Sequence, residues 1–451
     1  AETGYATLSA NRQATEFVVD GDKLNRDTFL FRAGKKFDKW TVDGNVTYNT
    51  EKTQTTSSNL FTELLQTATN IPIERFENSG NEGHWTSYYN NPYWLRDNVR
   101  NKNRSDFVNL IGTINYELNK NINFNYVANV QVSQANALNY TNGYVDLEQV
   151  GGGDHTIVST FDSANSNARN FYGDFMVNFD YMLTEKVSFK ANIGNNIQDR
   201  MSQNTSVGGD NLTVPGLYNI TNITGNTIPE DFKSQQRGYA FFANVDLGYK
   251  DYLFLNLTGR NDWTSVLNKN NNSFFYPSAG VSFIPTKAFD NFGGEILTYA
   301  KASASIVKVG NAVVGAYDIN DRFLSGGSTG FPYSTINSFV QNLEITDGNL
   351  RNENNISKEI NLNLEFFRRR ITFDFSYYSS KNKDQILQTT PSTASGANVA
   401  TINVGETTST GLELDLGLTP IKNDNLTWDI RFGYSAPKTT VDKVTETSTQ
   451  V

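Results

Sequence analysis

The sequence predicts an all-β chain: a transmembrane antiparallel β-barrel portion of about 15 strands with long extracellular loops. Three observations carry that reading. Apolar and polar residues alternate over stretches of about ten residues, a period of two that no amphipathic helix can use. The stretches come in pairs around tight polar turns. The pairs are separated by loops of roughly 20 to 55 residues, so one rim has short turns and the other long loops, as in membrane barrels.

One hairpin shows the pattern most fully. Val108, Leu110, Gly112, Ile114, Tyr116 and Leu118 define one face, with Asn109, Ile111, Thr113, Asn115 and Glu117 on the other. After Asn119, Lys120 and Asn121 the alternation resumes as Ile122, Phe124, Tyr126, Ala128, Val130 and Val132 against Asn123, Asn125, Val127, Asn129 and Gln131.

In chain order, 5–12 and 28–34 read as strands on either side of the turn Asp20-Gly21-Asp22, and 40–49 follows. The stretch 50–103 reads as mostly irregular, with a short helix at 60–68. Next come a polar loop at 134–170, a hairpin at 171–183 and 187–193, and a loop at 198–234. A hairpin at 239–249 and 253–259 precedes strands at 276–284 and 298–307. A Gly-rich excursion spans 308–355. Hairpins at 356–366 with 371–379, and 408–418 with 426–434, lead to a polar tail at 439–450.

Composition bounds the function. The chain has 451 residues, no Cys, 22 Tyr, 30 Phe and 34 Gly. Mean hydropathy is −0.49, yet aromatics reach 13%, which argues against general disorder. Net charge is −9 and no basic run exceeds Arg368-Arg369-Arg370, so nucleic acid is excluded as a partner. No run of about twenty apolar residues exists, which excludes a membrane helix but not a barrel. In a barrel the polar set, including Asn109, Asn123, Asn129, Asp174, Asn178, Asp246, Asn363 and Asp415, faces the lumen and the apolar set faces lipid. Trp40, Tyr116, Tyr249, Tyr252, Trp428 and Tyr434 near strand ends suit an aromatic girdle. Strands of soluble β-sandwiches, solenoids and adhesins also alternate, and pattern by itself leaves those open.

Candidate site residues fall into three groups. Trp85, Tyr88, Tyr89, Tyr93 and Trp94 could stack on sugar rings, contact a partner, or fold their own loop. Arg260, Asp262 and Trp263 end a strand at the rim, as partner contacts or as an ion pair beside a girdle Trp. Asp154, Asp210, Asp318 and Asp321 offer oxygen ligands for Ca²⁺, without a full spacing motif. His84 and His155 lack Cys companions, so a zinc site is not expected. The carboxylates Asp180, Glu365 and Glu413 recur because one strand face is polar, which argues against a catalytic pair and an enzyme. Gly208-Gly209 and Gly326-Gly327 read as turns that need positive φ.

From Leu257 onward a series of motifs appears. Leu257-Thr258-Gly259-Arg260-Asn261-Asp262-Trp263 leads to Phe274-Phe275-Tyr276-Pro277-Ser278-Ala279-Gly280-Val281-Ser282-Phe283. Val309-Gly310-Asn311, Asn349-Leu350-Arg351-Asn352-Glu353, Asn403-Val404-Gly405-Glu406 and Gly411-Leu412-Glu413-Leu414 follow in order. This order resembles the SusC/RagA-like family of TonB-dependent outer-membrane transporters of Bacteroidetes. Asn352 stands where that family usually has proline, and Thr408-Ser409-Thr410 replaces a more charged stretch.

The resemblance implies a 22-stranded barrel filled by a plug, preceded by a segment that contacts TonB. It implies residence in the outer membrane among its lipids, a SusD-like surface lipoprotein as partner, and energy from TonB-ExbB-ExbD. The implied function is active import of a large nutrient, an oligosaccharide or peptide, without a cofactor. Residues 1–451 would then be a mid-barrel portion, with the N-terminal plug and C-terminal strands absent from the sequence. The alternatives are a structural outer-membrane scaffold in a larger assembly, or a β-rich surface binding or adhesion protein.

Overall fold

The computed structural model describes residues 3–77, 90–145, 156–320, 322–325, 336 and 338–444. Fifteen strands form one large antiparallel sheet in which each strand lies beside the strands that precede and follow it in the chain. They are β1 (Thr3–Glu16), β2 (Lys23–Phe37), β3 (Trp40–Thr56), β4 (Val99–Asn119) and β5 (Ile122–Thr141). Then come β6 (Thr160–Thr184), β7 (Val187–Asp210), β8 (Ile228–Tyr249), β9 (Leu253–Thr264) and β10 (Ser273–Phe283). The last are β11 (Leu297–Asn311), β12 (Glu353–Phe366), β13 (Ile371–Lys383), β14 (Glu406–Lys422) and β15 (Thr427–Lys443). The chain divides into two compact units: 1–114, 127–172 and 199–235, and 115–126, 173–198 and 236–451.

In the first unit, β1, β2 and β3 pair in unbroken register, with Tyr5 opposite Gly34 and Phe29 opposite Tyr48. The rings of Phe29 and Tyr48 stack at 6.3 Å, a cross-strand aromatic pair on the apolar face. Two short helices, α1 (Asn59–Gln66) and α2 (Pro92–Asn98), sit in the connection between β3 and β4. α2 starts where Asn91 accepts the Tyr93 N–H and Pro92 supplies a preset φ.

In the second unit the two faces separate cleanly. Leu253, Leu255 and Leu257 stand opposite Tyr249, Leu247 and Val245 on the apolar face. On the polar face Asn256 Nδ2 donates to Asp246 Oδ1 at 2.6 Å and Asn363 Nδ2 to Asp374 Oδ1 at 2.6 Å. Asn244 and Asn192, and Asn178 and Asn123, bond in the same way. The polar residues thus satisfy one another across strands as well as facing outward from the sheet.

Three expectations need correction here. The stretches 134–170 and 198–234 are largely strand, not loop: β6 has 25 residues and β7 has 24. The presumed polar tail also begins in strand, with Ser409 opposite Thr439 and Thr408 opposite Thr440. Ladder hydrogen bonds sustain these extensions where both faces are polar, so hydrophobic alternation vanishes before the strand does. Gly208 and Gly209 are likewise not turn residues. They lie within β7 without positive φ, where a side chain on Gly208 would strike the Asp162 carboxylate.

Turns do use positive φ elsewhere. Lys250 and Asp251, at +48° and +58°, form a primed turn between β8 and β9, closed by Tyr252 N donating to Tyr249 O at 3.1 Å. The well-buried apolar side chains are mostly small clusters at the long connections rather than a core under the sheet. The apolar strand face itself is open, with Phe241, Ile360 and Phe432 more than half exposed.

Candidate functional site

At the long-connection end of the first unit, α1 and α2 close over a small core. Leu60, Trp94 and Leu95 are buried there against Val19, Val99 and Tyr144. Trp94 is only 6% exposed and meets the Tyr144 ring edge-on at 6.2 Å. Tyr93, one residue earlier on α2, is half-buried, with the Arg96 guanidinium 5.2 Å above its ring. Arg96 is held above its ordinary pKa chiefly by its hydrogen bond to Asp97, with burial opposing. Trp85, Tyr88 and Tyr89 lie outside the described residues, as do His84, His155, Asp154, Asp321, Gly326 and Gly327.

A buried ion pair anchors this end. Arg100 Nη1 lies 2.9 Å from Asp22 Oδ1. Arg100 also donates to the carbonyls of Arg96 and Gly21, both at 2.9 Å. Asp22 accepts the Thr56 N–H through both oxygens, at 2.9 and 3.1 Å. The Thr56 hydroxyl lies 2.9 Å from both the Leu95 and Val99 carbonyls. One network thus ties the β1–β2 turn, the end of β3, α2 and the start of β4.

A second network joins Tyr140, Asn142, Asn98 and Tyr218. Tyr218 stacks on Tyr140 at 3.7 Å and donates to Asn142 Oδ1 at 2.6 Å. Asn142 Nδ2 donates to Asn98 Oδ1 at 2.8 Å. Burial, and secondarily the Tyr140 phenol, push the Tyr218 pKa above 10.0.

In the second unit, Arg260, Asp262 and Trp263 are not brought together. Alternation sends Arg260 and Asp262 to one face and Trp263 to the other. Arg260 Nε and Nη2 reach the Asp262 carboxylate at 2.8 and 2.6 Å, with the guanidinium 5.6 Å over Phe242. Trp263 stacks on Tyr239 at 4.8 Å on the apolar face.

The long connections of this unit build their own small sheet. Glu344–Thr346 pairs in parallel with Val399–Asn403, which pairs antiparallel with Ile386–Thr389. Asn403 fastens it, donating to the Arg351 and Asp384 carbonyls, both at 2.8 Å, and accepting the Arg351 N–H at 2.7 Å. Asn352 is buried beside it and reaches the Tyr276 hydroxyl at 3.1 Å.

This sheet borders a polar cavity of about 290 Å³ lined by Asp318, Asn320, Arg322, Gln341, Glu344, Gln388 and Thr401. It offers both donors and acceptors, as a site for a hydroxyl- or amide-rich solute requires. Sequence reasoning missed it because its lining comes from four separated segments. The short β-forming triplet Glu344-Ile345-Thr346 was the available signal.

Of the four aspartates named for Ca²⁺, the two among the described residues, Asp210 and Asp318, have oxygens engaged within the chain. Asp318 Oδ2 accepts the Gly315 N–H at 2.6 Å and Asp210 Oδ1 accepts from Asn211 at 3.2 Å.

Residues 40–450 match the family described as TonB dependent receptor-like, beta-barrel. Two receptors of Formosa agariphila are similar. TonB-dependent receptor P26 is 28% identical over 49% of this chain and 22% of its own length. TonB-dependent receptor P39 is 20% identical over 93% of this chain and 39% of its own. The chain thus spans well under half the length of these relatives. Among solved structures, the RagAB peptide importer in its open-open state superposes with a TM-score of 0.79 at 13% identity, over 99% of this chain and 49% of that one. The chain belongs to the TonB dependent receptor-like β-barrel family and resides in the outer membrane.

Proposed function

We propose that residues 1–451 are the mid-barrel portion of an outer-membrane active importer for a large nutrient, an oligosaccharide or peptide. The observation that carries this reading is the division of the sheet into an open apolar face and a hydrogen-bonded polar face. Lipid accepts the first without cost, and a wet or protein-filled lumen accepts the second. A water-soluble sheet would have to bury that apolar face.

In this reading the barrel is completed by strands and a plug from the rest of a longer polypeptide. A SusD-like lipoprotein meets the long connections, and TonB-ExbB-ExbD supplies the energy. The cavity beside Arg322 and Gln388 contacts the solute. Tyr93, with Trp85, Tyr88 and Tyr89, and the Arg260–Asp262 pair are candidate contacts to solute or partner. The similarity to a peptide importer supports the transport class and leaves peptide and oligosaccharide as the two substrates to compare.

The test is native extraction of the full-length protein, followed by identification of copurifying lipoprotein and uptake of labelled peptides and oligosaccharides by the intact cells. Uptake of one class that disappears on deleting the gene, and on collapsing the proton gradient, is expected. Unchanged uptake of every class in the deletion strain, with surface attachment lost instead, would replace import by the adhesion reading.

A further inference from the structure

We propose that the apolar-side face of β2–β6, just beyond its apolar rows, is a docking site for the phosphate groups of an anionic outer-leaflet glycolipid. The inference rests on the membrane-barrel reading above.

Register and alternation place the residues. In β2 and β3, Phe29 opposite Tyr48 and Phe31 opposite Val46 belong to the apolar face. Continuing by twos on that face, Asn25 stands opposite Lys52 and Lys23 opposite Gln54. In β4 the apolar-face positions Leu110 and Val108 continue to Asp106, Arg104 and Lys102. Two contacts agree with that parity: Tyr48 donates to Asp106 Oδ1 at 2.7 Å, and Lys102 Nζ lies 5.0 Å over the Tyr140 ring. Lys23, Lys52, Lys102 and Arg104 are all exposed and line one cavity of about 550 Å³ with Asn136 and Asn165.

The charges on this face do not cancel. Arg104 is bonded to Asp106 at 3.0 Å, and Asp27 lies 3.8 Å from Arg12. Glu16 stands opposite Lys23 on the same face, but among the described residues no carboxylate bonds Lys23, Lys52 or Lys102. Three ammonium groups are therefore left around one depression, each able to donate to phosphate oxygens.

Depth selects the occupant. The cluster starts four residues beyond Phe29, Tyr48 and Val108, about 13 Å along the strands at 3.3 Å per residue. With a strand tilt near 40° that is about 10 Å of height, which reaches the headgroup region bordering the hydrocarbon. The face is the one turned to lipid, so solute crossing a lumen does not reach it. An amphiphile with acyl chains along Phe29, Phe31 and Val46 and phosphate at the lysines matches both the apolar rows and the charge.

The test uses the natively extracted full-length protein in dodecyl maltoside micelles, titrated with diphosphorylated lipid A and read by native mass spectrometry. Expected is retention that falls about tenfold in K23Q/K52Q/K102Q, survives in K23R/K52R/K102R, and weakens with salt. These lysines are exposed, and unchanged circular dichroism checks that the fold is kept. Equal retention by the glutamine variant, or equal binding of dephosphorylated lipid A, would overturn the proposal. So would inorganic phosphate binding alone with the same lysine dependence, which would assign the site to a soluble anion. A wild-type protein that stays soluble without detergent would instead sink the membrane reading beneath it.

Discussion

Asp22 and Arg100, 78 positions apart in the chain, meet at 2.9 Å with side chains only 8% and 6% exposed. Among the described residues, the polar partners of the pair are the Gly21 and Arg96 carbonyls and the Thr56 N–H. Removing one partner strands the other in a dry site, which costs about 3–5 kcal/mol. Arg100→Met should therefore lower the unfolding midpoint and open the β3–β4 connection to protease before the sheet is cut. The double variant D22N/R100M should lose less than the sum of the singles. Full additivity in denaturant titrations would show that the two residues are not coupled.

Gly411 stands opposite Tyr378 in the β13–β14 register, and the Tyr378 ring occupies the space a β-carbon on Gly411 would need. Gly34 and Tyr5 repeat the arrangement between β1 and β2. Gly411→Val should destabilise by about 1–3 kcal/mol through overpacking, and Tyr378→Ala in the same chain should recover much of it. Thermal unfolding of the four proteins of that cycle decides it, and no recovery would mean the ring is not the obstacle.

The turn at Lys250 and Asp251 holds two side-chain-bearing residues at positive φ. Replacing the pair by Asn-Gly should stabilise the protein by about 0.5–1 kcal/mol, since those residues tolerate the left-handed region best. A lower midpoint for the Asn-Gly protein would show that the native side chains contribute more than their backbone strain costs.

Tyr218 gives a pH signature. Burial raises its pKa above 10.0, so the folded state holds the phenol proton longer than the unfolded state does. Above the ordinary tyrosine value near 10 the unfolded chain loses that proton first, and stability falls as pH rises. Below that pH the contribution is fully present. Tyr218→Phe should flatten the stability profile above pH ~10 and remove one late-titrating phenolate from the ultraviolet difference spectrum. Identical alkaline profiles for both proteins would refute the assignment.

The polar cavity makes a prediction about solute. R322A/Q388A removes two side chains that line it, both outside the fifteen-stranded sheet. Losing two hydrogen-bonding groups should weaken solute affinity about tenfold at an unchanged outer-membrane level. Uptake titrations against immunoblots measure both, and unaltered affinity would remove the cavity from the transport path.

Much of the sheet was legible in the chain. Val108 to Leu118 and Leu253 to Leu257 announce strands because lipid or a core must take one face and nothing else. Their turns were legible for the same reason: Asn119-Lys120-Asn121 interrupts an otherwise unbroken alternation. The strand extensions 160–170 and 199–210 were not, since polar side chains on both faces look like loop until a neighbouring strand supplies the ladder. Among candidate site residues, Arg260 and Asp262 were legible as a pair by their spacing of two. Trp94 was not, because its burial depends on Leu60 and Tyr144, far away in sequence.

The sequence by itself determined the all-β class, the order of the hairpins, the two chemically opposite faces and the resemblance that led to the family. These follow from local alternation and turn chemistry, which need no distant partner. Only the tertiary structure decided how far each strand runs, that Asn and Asp of the polar face bond across strands, that Asp22 meets Arg100, and that four segments enclose a polar cavity. Each of those depends on which residues distant in the chain share a register, and register is settled by pairing between strands rather than within one.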